Sequence, residues 1–307
     1  MKRFNIRHRT FYQYGGMASL CHNEVRLTPN NTGTQRCLST EFTIHPQPSI
    51  QTTFEDFFGN TVHSFSVQSP HDKLDIEINS QVEVYEPNWL AADADDYPWD
   101  EVVRRMQVQE EADIRQFALP SPYIDLPPEV KEYAELSFSP RRPLANATEE
   151  LMTRIYTEFE FVSGFTSIST PLTDLLKHRK GVCQDFAQLG IACLRSLGLP
   201  AGYVSGYIET IPPPGKERLV GADASHAWFA VHHPEAGWME YDPTNNMQPG
   251  EQHITVGYGR DFGDISPVKG IMIGSGSHEI EVEVDVVPLE LSSNNESSAN
   301  SRRLLWK

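Results

Sequence analysis

Basic residues are scarce in this chain: 25 lysines and arginines stand against 42 aspartates and glutamates, a formal net charge of −17 over 307 residues. A chain of that sign repels phosphate and anionic lipid, so neither nucleic acid nor a membrane surface is an expected partner. Long apolar runs are missing as well. No stretch approaches the roughly 20 residues of a membrane span, and the basic start Met1-Lys2-Arg3-Phe4-Asn5-Ile6-Arg7-His8 lacks the apolar segment of a secretory signal. The expected location is cytoplasmic. Cysteine is sparse too, with four residues at 21, 37, 183 and 193 and no C-x-x-C pair, which argues against a disulfide-stapled scaffold and makes free thiols the default. Cys183 and Cys193 lie ten apart on one predicted helix, a net rotation of about 280°, so they cannot bridge each other. His232-His233 has no cysteine, histidine or carboxylate partners at a recognisable ligand spacing and reads as a strand end. No metal and no cofactor is expected.

What is present is a hydrophobic fraction of 39%, enough for two globular cores. Residues 1–85 are dominated by period-two alternation, as in Phe4/Ile6/His8/Thr10, Phe42/Ile44, Val62/Ser64/Ser66 and Leu74/Ile76/Ile78. Turn signals at Gly15-Gly16, Asn30-Asn31 and Gly59-Asn60 punctuate them, which predicts an antiparallel β domain. Residues 86–145 read as a linker, with the acidic run Asp93-Ala94-Asp95-Asp96, followed by a helical lead-in that includes a proline-led start at Pro128. Residues 146–290 form the predicted second domain. Asn146-Ala147-Thr148-Glu149 resembles a capping box, and Leu151, Ile155, Tyr156 and Phe159 recur at helical spacing. A further helix begins at Cys183, carries Phe186, Leu189, Gly190, Cys193, Leu194 and Leu197 on one stripe, and stops at Gly198. Strand patterns follow at 203–208, 226–232, 238–242 and, by the alternation Ile280/Val282/Val284/Val286, near the end. Helices followed by a sheet make this domain α+β. Residues 291–307 have the composition of a flexible tail.

Chemistry concentrates in that second domain. A thiol near pKa 8.5 is mostly protonated at neutral pH, so a nucleophilic cysteine needs a device that favours the thiolate. A helix N-terminus is such a device, and Cys183 in Gly181-Val182-Cys183-Gln184-Asp185 occupies one. The same N–H groups suit a developing oxyanion. His226 is the candidate base and Asp242 the group that orients it. If the strands flanking His233-Pro234-Glu235-Ala236-Gly237 form a hairpin centred near residue 235, position 226 faces 244 and Asp242 lies diagonally across on the same face. Asp185 reads as a first-turn helix acid, Trp228 and Tyr241 as packing residues, and Cys21, Cys37 and Cys193 as small core residues.

Three blocks, Gly181-Val182-Cys183-Gln184-Asp185-Phe186-Ala187, Ser225-His226-Ala227-Trp228 and Tyr241-Asp242-Pro243-Thr244, resemble the transglutaminase-like superfamily of papain-type folds, with spacings of 43 from Cys to His and 16 from His to Asp. Upstream, Cys21-His22-Asn23-Glu24-Val25-Arg26-Leu27 and Asp56-Phe57-Phe58-Gly59-Asn60 are similar to the β domain that precedes the catalytic domain in bacterial members. The resemblance implies a papain-like core and an acyl-enzyme mechanism on a peptide or protein amide: Cys183 attacks, His226 gives its proton to the leaving amine, and Asp242 orients His226. Water as acceptor makes a cysteine peptidase or amide hydrolase, the leading expectation; a lysine amine makes a transglutaminase. A third reading is a non-enzymatic scaffold whose β domain binds an unidentified protein partner. A papain-like oxyanion glutamine would fall six residues before the nucleophile, where this chain has Lys177. Backbone N–H groups are the expected donors, with Gln184 a candidate beside them.

Overall fold

The computed structural model describes residues 1–86, 97–108, 112–210, 225–274 and 276–289. The acidic run at 93–96 and the tail at 291–307 lie outside them. Two antiparallel sheets carry the architecture, and helices cover one face of the second.

The first sheet is built on β1 (Lys2–Val25), β2 (Gln35–His45), β3 (Ile50–Glu55), β4 (Thr61–Val67) and β5 (His71–Val84). Its alternating positions are buried as the pattern predicts: Phe4, Ile6, His8 and Thr10 are at most 3% exposed, and Leu74, Ile76 and Ile78 are fully buried. Gly15-Gly16 is not a turn. β1 runs straight through it with a register shift against β5 between Gln13 and Ala18. The Gly15 N–H bonds Ser277 O at 2.8 Å, and a Cβ at Gly15 would sit 3.0 Å from that oxygen. The glycines therefore serve a close strand approach inside one long element.

The second unit contains α1 (Trp99–Val108), α2 (Ala112–Arg115), α3 (Pro128–Glu135), α4 (Leu144–Glu158), α5 (Leu172–His178) and α6 (Cys183–Ser196). Its main sheet comprises β8 (Ala201–Ile208), β9 (Ser225–His233), β10 (Gly237–Tyr241) and β11 (His253–Gly259) in the order β10-β9-β8-β11; β6 (Glu160–Phe161) and β7 (Lys180–Gly181) form a short parallel pair. Pro128 opens α3 at its first turn and Gly198, at φ +88°, follows the end of α6, as expected. α4 starts at Leu144, two residues ahead of the proposed capping box, because the chain before it is pinned by Trp99 N–H to Arg142 O and Leu144 N–H to Tyr97 O. Thr148 then bonds back to Leu144 O rather than capping. The lead-in is more than linker: Val102, Ile124, Val130 and Ala134 are fully buried in the same core as α6.

α6 carries no simple apolar stripe. Every residue from Asp185 to Arg195 is buried, as befits a helix enclosed by the sheet on one side and by α3, α4 and α5 on others. Gly190 permits the sheet contact, since a Cβ there would lie 2.6 Å from the Phe229 ring. Cys193 is fully buried in this core, as expected, and Cys21 is buried in the first domain. Cys37 departs from expectation: it is half-buried and bonds the Ser39 carbonyl and Thr40 hydroxyl. All four thiols are free.

The last two strands, β12 (Val268–Gly274) and β13 (His278–Leu289), were grouped by sequence with the second domain but hydrogen-bond to β1 in the first sheet. Alternation specifies a strand and not its partner. Val284 and Val286 pack with Phe4, Ile6, Val82 and Val84 against Tyr207, Ile254 and Val256, so one apolar layer joins the two sheets. At its rim the side chains of the first domain bond the β11 edge that no described strand pairs. Gln35 bonds both the N–H and the C=O of Thr255, at 2.8 and 2.7 Å, and Asn60 does the same for Tyr258. Asn60 is presented by the Asp56-to-Asn60 turn, where Asp56 Oδ1 accepts from the Phe58 and Asn60 N–H groups and Gly59 adopts φ +80°. No described helix is long and apolar enough to cross a membrane.

Candidate functional site

Cys183 is the first residue of α6 and is half-buried, in contrast to the closed burial of the helix beyond it. The helix starts here because Asp185 Oδ2 accepts the Val182 N–H at 2.8 Å and the Thr166 hydroxyl at 2.5 Å, the first-turn acid expected from sequence. Gly181 makes room for that carboxylate: a Cβ would fall 2.9 Å from Asp185 Oδ2 and from Leu175 Cδ1. Phe186 N–H is bonded to Val182 O, which leaves the N–H groups of Cys183, Gln184 and Asp185 as first-turn donors without an intrahelical acceptor. Lys177 is exposed in the last turn of α5, and Gln184 is half-buried beside the thiol.

His226 is the second residue of β9, and its imidazole interacts with Cys183. The hairpin register is the one the sequence predicts: Gly237 pairs with His233 and Tyr241 with Phe229, so the pairing is centred on residue 235. The ladder ends at Tyr241 and the chain turns at 242–247, where Asp242 pairs with Met247, so position 244 does not face 226; His226 Nε2 nevertheless meets Asp242 Oδ2 at 2.7 Å. Cys183, His226 and Asp242 are thus brought together. With Nε2 engaged by Asp242, Nδ1 is the ring nitrogen left for the thiol.

The structure adds two residues that sequence reading missed. Asn245 Nδ2 donates to Asp242 Oδ2 at 2.7 Å, and His253, the first residue of β11, places Nε2 3.1 Å from the same oxygen. The N–H groups of Thr244 and Asn245 serve Oδ1 at 2.9 and 3.3 Å. Asp242 is fully buried with five donors around it; the hydrogen bonds of His226 and His253 outweigh its burial and hold the carboxyl well below the usual range. Burial opposes a charge on His226, yet its bonds to Asp242 and Cys183 prevail and push its pKa up to about 10. A lone histidine at a strand start gives no sequence signal for His253. Asn245 had a usable one, its place three residues after Asp242 in a turn.

The ligand atoms of His226, Asp242 and His253 lie within 4.8 Å of one another, close enough for a metal ion. Each imidazole directs Nε2 at the carboxylate within hydrogen-bond distance, so the arrangement reads as a proton network with the thiol at one end. Trp228 is fully buried, lies between His226 and Glu240, and donates its indole N–H to Glu240 at 2.7 Å. Tyr241 is fully buried and stacks on Phe229. Both are packing residues, as expected.

A papain-like core with its thiol on a helix start and a histidine–aspartate pair on the adjoining hairpin, preceded by an antiparallel β domain, defines a transglutaminase-like protein. The chain belongs to the bacterial transglutaminase-like family: residues 4–83 match the bacterial transglutaminase-like N-terminal region and residues 134–243 the transglutaminase-like superfamily. It is 41% identical over 305 residues to an uncharacterized protein of Mycobacterium tuberculosis, covering 94% of this chain and 93% of that one. A candidate cysteine protease from Cytophaga hutchinsonii has the same fold, with a TM-score of 0.75 at 21% identity, across 95% of this chain and 92% of that one. A local likeness, 37% over 76 residues, links 24% of the chain to 11% of a protein-glutamine gamma-glutamyltransferase of Pseudomonas aeruginosa.

Proposed function

We propose that this protein is a cysteine-dependent amide hydrolase acting on peptide or protein substrates through Cys183, His226 and Asp242. The observation that carries the reading is the convergence of a half-buried thiol at the α6 N-terminus with an imidazole held by a fully buried carboxylate at 2.7 Å. In the first half-reaction His226 already carries the proton that is later given to the leaving group, and Sγ attacks the amide carbon. The oxyanion meets the first-turn N–H groups of α6. The C–N bond breaks as His226 protonates the departing amine, which leaves a thioester on Cys183. In the second half-reaction His226 takes a proton from water, hydroxide adds to the acyl carbon, and the acid departs as the thiol is restored. Asp242 keeps His226 in the tautomer that serves Cys183 throughout. Four free cysteines fit a reducing, cytoplasmic setting.

Transfer to an amine is the second reading, favoured by the local likeness to the Pseudomonas aeruginosa transferase. A glutaminyl peptide incubated with and without a primary amine separates the two, because amine incorporation in place of hydrolysis would assign the transferase. The test of the shared mechanism is trapping of an acyl-enzyme by mass spectrometry on a library of peptides and amides, with Cys183→Ala as control. The reading fails if Cys183 alkylates no faster than a free thiol and His226→Ala leaves that rate unchanged.

A further inference from the structure

We infer that His253 is a positioning residue of this site, a neutral second imidazole that sets how strongly Asp242 holds the proton on His226. This rests on the Cys183, His226 and Asp242 reading and deepens it. Both nitrogens of His253 are accounted for: Nδ1 receives the Gly250 N–H at 3.4 Å, so the ring proton belongs on Nε2, 3.1 Å from Asp242 Oδ2. The residue is 3% exposed, and burial together with the neighbouring His226 favours the neutral ring over the pull of Asp242. It therefore stays a donor and does not become a rival cation.

The ring has little freedom. It meets Trp228 edge-on at 5.3 Å, while the Trp228 indole is fixed to Glu240 and its other neighbour is His226 at 5.8 Å. The strand under it is fixed from the other domain, because Gln35 clamps both backbone groups of Thr255, two residues along β11. His226 and His253 thus share one carboxylate oxygen with Asn245. The ionisable groups facing this oxygen and its two imidazoles are Cys183 from α6, Asp242 itself, and Glu240 behind Trp228.

Each donor on Oδ2 spreads the carboxylate charge and weakens its pull on the His226 proton. Removing His253 leaves Asp242 a stronger acceptor, so His226 holds its proton more tightly and releases it less readily to a leaving amine. Loss of the partner that orients a metal-ligating side chain costs about 10- to 100-fold, and the low end of that range is taken for this hydrogen-bonded network.

The experiment follows the ring resonances of His226 against pH in full-length Cys183→Ala protein, with and without His253→Leu, and measures kcat and KM for amide cleavage in the Cys183 form. His253→Leu is expected to move the His226 titration to higher pH and to lower kcat about tenfold with KM unchanged, and His253→Gln, which keeps a side-chain N–H donor, is expected to restore both. A folded His253→Leu protein with an unmoved His226 titration overturns the inference, even where Cys183 remains reactive. If His253→Leu does not fold, nitrogen NMR of the parent decides: a proton on His253 Nε2 supports the assignment, and one on Nδ1 overturns it. Failure of the wider reading shows separately, as loss of the dependence of Cys183 alkylation on His226.

Discussion

Replacing Asp242 by asparagine keeps the shape of a fully buried side chain and removes the charge around which the site is built. Burial lowers the His226 pKa, but its hydrogen bonds to Asp242 and Cys183 prevail and raise it from 6.5 to about 10. At 1.36 kcal/mol per unit the whole displacement corresponds to roughly 5 kcal/mol. Part of it belongs to the Cys183 contact, so about 3 kcal/mol is expected for loss of Asp242, the low end for breaking a buried pair. The pH dependence has a definite sign. A raised imidazole stabilises the fold fully below its unfolded value of about 6.5 and loses that contribution as pH rises through about 10. The stability gap between parent and Asp242→Asn, measured by urea denaturation, is therefore expected to be widest near pH 6 and to narrow towards pH 10. The same variant is expected to slow Cys183 alkylation by iodoacetamide, because His226 has lost the carboxylate that orients it. A pH-independent gap together with an unchanged alkylation rate would refute the coupling of Asp242 to His226.

Two further predictions concern the scaffold. Gly190→Ala would place a Cβ 2.6 Å from the Phe229 ring, and overpacking of roughly 1–3 kcal/mol should outweigh the helix propensity gained; a lower urea midpoint tests this, and an unchanged or higher midpoint would contradict the packing argument. Asn60→Ala removes the partners of the Tyr258 N–H and C=O and should cost about 1–3 kcal/mol per group left unsatisfied, with faster amide exchange in β11 as the specific readout; exchange no faster than the parent would show that the clamp is not needed.

The meeting of Cys183, His226 and Asp242 was legible where local chemistry and strand geometry act together. A helix start after Gly181 fixed Cys183, and a five-residue connection between two strand patterns was enough to place Asp242 beside His226, with the register later found from Gly237–His233 to Tyr241–Phe229. What escaped was whatever depends on partners distant in sequence. β12 and β13 alternate like any half-buried strands, and only pairing with β1 returns them to the first sheet. β10 and β11 lie at opposite edges of the sheet, yet after the turn closed by Asp242 and Met247 His253 meets Asp242 at 3.1 Å, and no periodicity encodes that adjacency. The start of α4 escaped for a related reason: residues 97–99 fix it from outside the helix, while the Asn146 and Glu149 pattern imitates a cap within it.

The β domain is easily taken for a separate binding module, but its distinctive residues point inward. Asp56 organises a turn that delivers Asn60 to Tyr258, Arg26 bonds Asp56 at 3.1 Å, and Gln35 takes the place of a neighbouring strand at Thr255. All of these contacts bear on β11, which would otherwise present an open edge. β11 carries His253, and His253 reaches Asp242, so the first domain bears on the candidate site through the placement of one strand. The two segments that resemble the family's N-terminal region, Cys21 to Leu27 and Asp56 to Asn60, supply Arg26, Asp56 and Asn60 to this brace. The β domain is thus a structural part of the unit that holds Cys183, His226 and Asp242: a separated residue 97–267 fragment would expose Tyr207, Ile254 and Val256 and lose the clamps on β11 together.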